Sequence, residues 1–184
     1  MTMSSNKIIV QNMVCPRCSE SVEGTLNKLK INFDSVSIGE IKLLEKINPN
    51  LLIELEQNLN EKGFSILKDE KLIIVEKVKN LIHVKVANIT FGSEKFSVEI
   101  SKKLSYNYSY VSRVFSANTG LTIEKYLLKC KIDKVKELIR YQKFSIKEIA
   151  YLLDYNSLSH LSNHFKRETG ITPSQFKEKH KLIK

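Results

Sequence analysis

The chain has three cysteines, and two of them stand close together: Cys15 and Cys18, separated by Pro16 and Arg17. Thiolates are soft ligands that select Cu(I) or Zn. Two of them spaced by two residues can converge on one ion. A helix N-terminus at the pair, and Arg17 within it, would lower the thiol pKa and favour the thiolate. A structural zinc site takes four ligands, and no second CxxC exists in the chain. The expectation is therefore a two-coordinate Cu(I) site or an ion shared between chains, with Zn as the other soft ion. The same spacing suits thiol–disulfide exchange, so a redox switch remains open, as does a module that only dimerises. Cys130 stands far from the pair and is expected to be a half-buried core cysteine.

A second group of residues could read nucleic acid. Arg113 suits a bidentate bond to guanine O6/N7, and Asn163 suits adenine N6/N7. Ser109, Ser112, Ser159 and His160 are adaptable donors and acceptors, and Lys166 and Arg167 suit phosphates. These residues fall in two matching stretches. Phe115, Thr119, Gly120, Thr122 and Tyr126 return 50 positions later as Phe165, Thr169, Gly170, Thr172 and Phe176. Upstream, Tyr106-Asn107 returns as Tyr155-Asn156 at a spacing of 49.

Each copy must present its polar residues from a short helix. In the second copy, Ser145 to Glu148 is a capping box that opens a helix. Ile146, Ile149, Ala150 and Leu153 follow at helical spacing. Asp154-Tyr155-Asn156-Ser157 is turn chemistry. The next helix is expected to bury Leu158, Leu161 and Phe165 and to end at Gly170. His164, beside Phe165, is expected to meet phosphate or solvent. Thr172-Pro173-Ser174-Gln175 opens a further helix. In the first copy Ser97 is expected to cap a helix, and Val111, Val114 and Phe115 to form the inner face of the next. One long helix, Thr122 to Tyr141, joins the copies. Twenty residues span roughly 30 Å, against ~34 Å for a turn of B-DNA. Such a connector would set two recognition helices in successive major grooves.

Charge agrees with this division. Residues 1–70 carry 8 Lys/Arg and 10 Asp/Glu, whereas residues 71–184 carry 22 and 10. The whole positive excess lies in the half with the repeat, as a polyanion-binding module requires. No apolar run reaches membrane-spanning length, and the N-terminus lacks the pattern of a secretory signal. A cytoplasmic protein with no membrane partner is expected. No nucleophile–base pair, Gly-rich phosphate loop or carboxylate cluster appears, so an enzyme is not expected.

The stretch EIAYLLDYNSLSHLSNHFKRETGITPSQFK, Glu148–Lys177, with its counterpart in the first copy, resembles the DNA-binding domain of the AraC/XylS family of transcription regulators. The resemblance implies an all-α domain of seven helices, with two helix-turn-helix units joined by a linker helix. It places base reading on Ser109, Ser112 and Arg113 in the first unit, and on Ser159, His160 and Asn163 in the second. It implies double-stranded DNA as partner, with RNA polymerase as a further one. Where the family has a turn glycine, this chain has Ser105 and Asp154. An acid at Asp154 is expected to weaken backbone approach to DNA.

Residues 6–70 read as strand, helix, strand, strand, helix, strand. The expected strands are Lys7–Met13, Phe33–Ile38, Ile41–Ile47 and Phe64–Leu67, and the helices Cys18–Leu29 and Asn50–Lys62. This ferredoxin-like βαββαβ order, with MVCPRC (Met13–Cys18) after the first strand, resembles a heavy-metal-associated domain. Such domains bind soft ions through M-x-C-x-x-C, and the Glu61–Phe64 stretch fits their pattern. Asn12 stands where that family usually has Gly. The expected architecture is α+β, with a metal-binding domain at 1–70 and a DNA-binding domain at 71–184. The expected function is a metal-responsive transcription regulator, monomeric or homodimeric. The alternatives are a metallochaperone-like carrier and a redox-switch protein.

Overall fold

The computed structural model describes residues 6–89, 91 and 94–181. The outermost residues of both expected domains, 1–5 and 182–184, lie outside these. The chain divides into two compact units. One comprises the chain up to Asn80 with Ser109–Asn118; the other comprises Leu81–Tyr108 and the chain from Thr119 onward.

The first unit begins with β1 (Lys7–Gln11), α1 (Pro16–Lys28), β2 (Phe33–Ser37), β3 (Glu40–Leu43), α2 (Pro49–Asn60) and β4 (Ser65–Ile66). The strands form one antiparallel sheet in the order β2-β3-β1-β4. Ile8 lies opposite Ile41, and Val10 opposite Ile66. Their side chains enter a core with Met13, Val22, Leu26, Leu55, Leu59 and Phe64. Gly39 closes the β2–β3 hairpin at φ +78°, and the Asn80 side chain occupies the space where a Cβ would project.

Several boundaries differ from the sequence expectation. Strand β1 stops at Gln11 rather than Met13, because Asn12 turns to φ +72°. Helix α1 starts at Pro16 rather than Cys18, with Cys15 at its N-cap. Proline at the first helical position has its φ set for the helix and loses no hydrogen bond there. Strand β3 ends at Leu43 rather than Ile47, where its pairing with β1 and β2 runs out.

Seven further helices follow among the described residues: α3 (Glu70–Ala87), α4 (Phe96–Leu104), α5 (Tyr108–Thr119), α6 (Ile123–Tyr141), α7 (Ile146–Leu152), α8 (Leu158–Thr169) and α9 (Pro173–Lys181). Their ends follow local chemistry. Thr122, Ser145 and Ser157 each accept a backbone N–H at a helix start. Ser145 and Glu148 form both bonds of a capping box, as do Thr172 and Gln175. Gly170 ends α8 in the left-handed conformation. Ser97 does not cap α4; Lys95 takes the cap position without a side-chain bond, and Phe96 already belongs to the helix.

In the second unit α6 packs against α7, α8 and α9. The core there joins Ile132, Val135, Leu138 and Ile139 of α6 to Ile149, Ala150, Leu153, Leu161 and Phe165. Leu158, expected inside, is 44% exposed. It is the first residue of α8, before the helix has turned its apolar side inward.

Ser105 and Asp154 take φ +59° and +54°, the conformation that glycine enters without steric penalty. A side chain there costs about 1–2 kcal/mol, while glycine loosens the unfolded chain by about 0.4–1 kcal/mol. Ser105→Gly is therefore expected to raise stability by about 0.5–1 kcal/mol. Ser145→Ala should lower it by about 1 kcal/mol through loss of the cap, and Phe165→Ala by about 3–5 kcal/mol. Urea unfolding of the three variants checks all three signs.

Candidate nucleic-acid interface and cysteine pair

Helix α8 divides cleanly into two faces. Leu161, His164 and Phe165 are buried. Ser159, His160, Asn163, Lys166 and Arg167 are all exposed. The inner face is fixed by Phe165, whose ring meets Phe176 of α9 edge-on at 5.5 Å. The start of the helix is fixed by Ser157, whose Oγ accepts the His160 N–H at 3.0 Å. Two hydrogen-bonding side chains, His160 and Asn163, therefore share a rigid outer surface with two cations. Arg167 Nε lies 3.4 Å from Glu168 Oε1, so its charge is partly offset.

Polar groups behind this surface escaped the sequence reading. His164 meets neither phosphate nor solvent; it is only 4% exposed. Its Nδ1 lies 2.9 Å from the Tyr155 hydroxyl. Tyr155, read as turn chemistry, is itself buried in the core. Its ring also meets the exposed His160 ring edge-on at 5.4 Å. Lys131 of α6 is buried too. Its ammonium lies 4.3 Å from the Phe91 ring centre and 5.3 Å from that of Tyr155. Desolvation holds this lysine below its ordinary pKa, with Lys85 adding to the effect and Asp154 opposing it. One signal for His164 was available: the position 50 residues earlier is Val114, an apolar residue of the expected inner face.

On α5, Ser109 and Arg113 are exposed and Ser112 is half-buried, while Val111, Val114 and Phe115 are buried. At the start of α5 the Tyr108 hydroxyl donates to the Glu124 carboxylate in the first turn of α6. Burial and that carboxylate raise the tyrosine pKa. The bond to Tyr108 lowers that of Glu124 against its desolvation.

The cysteine pair lies at the N-terminus of α1. Both thiols are half-buried, with their sulfurs 3.3 Å apart. Burial would raise the Cys18 pKa, but backbone bonds at Val14 and Cys15 and the Cys15 side chain bring it below its ordinary value. Local hydrogen bonds thus supply the lowering expected of Arg17. The Asn12 side chain donates to the Gly63 carbonyl at 2.9 Å, tying the loop before the pair to the turn before β4. No group of three or more Cys, His, Asp or Glu side chains able to hold a metal occurs among the described residues. Two thiols fit a two-coordinate soft ion and do not fit a four-ligand zinc site. Cys130 is a different kind of cysteine: burial and Asp133 push its thiol up to about 11.

Residues 100–179 match the family model described as a helix-turn-helix domain. Over 104 residues the chain is 31% identical to the Msm operon regulatory protein of Streptococcus mutans, covering 56% of this chain and 36% of that protein. Over 99 residues it is 28% identical to an HTH-type transcriptional regulator, YtdP, of Bacillus subtilis, covering 54% and 13%. The chain thus spans about a third or less of the length of these curated relatives. Two solved structures share the fold. The C-terminal domain of AraT, a response regulator from Geobacillus stearothermophilus, aligns with a TM-score of 0.50 at 23% identity, covering 58% of this chain and 84% of that one. A transcriptional regulator from Chromobacterium violaceum with an AraC-type DNA-binding domain aligns at 0.51 and 19%, covering 59% and 95%. Residues 100–179 are thus similar to helix-turn-helix domains. The fold of this part is shared with that of the Chromobacterium violaceum regulator.

Buried His164 makes stability depend on pH. Desolvation pushes its pKa below the ordinary 6.5; Arg167, His160 and Lys131 push the same way, and Glu168 opposes them. As pH falls, the unfolded chain binds the proton before the folded one does. The stability gained from the neutral imidazole is full above 6.5 and is lost as pH drops towards the lowered folded value. Thermal unfolding between about pH 8 and about pH 5 should show this loss, and His164→Val should flatten it.

Proposed function

We propose that the protein is a sequence-specific DNA-binding transcription regulator that responds to a soft metal ion. The observation that carries the DNA reading is the outer face of α8. Five exposed residues suited to bases and phosphates stand on the second helix of a helix-turn-helix. In this reading Ser159, His160 and Asn163 meet base edges, and Lys166 and Arg167 meet phosphates. Ser109, Ser112 and Arg113 serve the same purpose on α5. Linker α6, with 19 residues, is about 28 Å long. That length suits two recognition helices reading sites about one turn of DNA apart.

The metal reading rests on the close thiol pair and on the local lowering of the Cys18 pKa. Cys15 and Cys18 would hold a Cu(I)-like ion in what is, on this reading, a ferredoxin-like N-terminal domain of the heavy-metal-associated kind. A bound ion would supply charge and a fixed thiolate geometry. The chain's own contribution is to keep two thiols together and to favour deprotonation at Cys18. The 3.3 Å sulfur separation also favours a second reading, reversible disulfide formation with a thiol-reactive oxidant.

The test is selection of binding sites from random duplexes, with and without Cu(I), under reducing and oxidising conditions. Wild type should select a bipartite site about one helical turn apart, with affinity that Cu(I) changes. Cys15→Ser/Cys18→Ser should bind the same site without the metal effect. An affinity change with oxidant but not with metal would favour the redox reading. A bipartite site indifferent to both would overturn the sensor reading and leave the DNA reading standing, and failure to select any site would overturn both. Arg113→Ala is expected to cost ~1–3 kcal/mol at one base position only, read from competition against single-base variants of the selected site.

A further inference from the structure

The second helix-turn-helix contains polar groups that packing alone does not require. Fifty residues before His164 stands Val114, which is buried at 7% exposure. An apolar side chain therefore serves as the inner residue at this position of the first copy. Tyr106, the earlier counterpart of Tyr155, is 36% exposed, whereas Tyr155 is 8% exposed. Burying an imidazole and a phenol costs free energy unless they are hydrogen-bonded. Here they bond to each other, and one of them also touches the helix surface.

We propose that Tyr155 and His164 are positioning residues for base reading by His160. The buried tyrosine, anchored through its hydroxyl to His164 Nδ1 at 2.9 Å, meets the exposed His160 ring edge-on at 5.4 Å. The proposal rests on α8 being a DNA-reading helix.

His160 is then held at two points. Its backbone N–H is bound by Ser157, and its imidazole meets a ring that cannot swing away. Tyr155 is also met by the Lys131 ammonium, 5.3 Å from its ring centre, itself set over Phe91. A phenol that donates to Nδ1 leaves the His164 proton on Nε2, which lies 3.9 Å from Glu168. The arrangement orders the His160 side chain before DNA arrives. Ordering a side chain on binding costs free energy that a prepositioned group does not lose. The restricted ring also presents its nitrogens to fewer base-pair patterns.

The experiment measures relative affinity for all four base pairs at each position of the wild-type selected site. It compares wild type, His160→Ala, Tyr155→Phe, His164→Val and the doubles of each with His160→Ala. His160→Ala should abolish the preference at one position. Tyr155→Phe and His164→Val should each weaken the preference at that same position about 3–10-fold, leaving the other positions unchanged. Neither should add to His160→Ala in the doubles. Independent losses in the doubles, or losses spread evenly over all positions, would overturn the proposal. Tyr155→Phe/His164→Val removes both polar partners together, which avoids leaving an unpaired buried group. This double variant should fold and still lose the preference; full preference in it would overturn the proposal. A wild type that selects no site at all would overturn the DNA reading and the proposal with it, whereas a selected site with additive losses would overturn the proposal alone.

Discussion

The burial of one side of α8 is the constraint on which the C-terminal part of the chain depends. A helix of 12 residues is too short to be stable alone in water. It persists because Leu161 and Phe165 are fully enclosed by α6, α7 and α9. That enclosure leaves the other face free of structural duty. Ser159, His160, Asn163, Lys166 and Arg167 are therefore not constrained by core packing.

The long helix α6 connects this packing to the rest of the second unit. Ile132, Val135, Leu138 and Ile139 supply the surface on which α7, α8 and α9 assemble. Lys131, beside them, shows how that core tolerates a charge. Its ammonium faces two aromatic rings, whose negative faces offset part of the lost hydration. The Tyr155 ring sits in the turn before α8, so a charge on α6 bears on the placement of the polar face.

In the first unit, geometry and acidity at the cysteine pair come from the backbone. Pro16 starts α1, which leaves Cys15 at the cap and Cys18 in the first turn. Their sulfurs then lie close by the pitch of the helix. Asn12 enables the approach by taking a left-handed conformation, which asparagine tolerates better than most residues. Its side chain anchors the loop to Gly63. The close thiols and the lowered Cys18 pKa are what the proposed soft-ion and disulfide readings both rest on.

The order of helices and strands, the caps at Ser145 and Thr172, and the exposed polar face of α8 were legible in the sequence. Each is a local property: a side chain bonding within one turn, or an apolar spacing that must face inward. The helix end at Gly170 was legible for the same reason, since its positive φ follows from the residue type. Tertiary structure alone decided the fate of Lys131, Tyr155 and His164. Each is polar, and each is buried only because its partner arrives from elsewhere in the chain: Phe91 for Lys131, and a residue nine positions away across a turn for Tyr155. Sequence spacing can say which face turns inward, but whether a polar group can stay there depends on a partner that only the packed fold supplies.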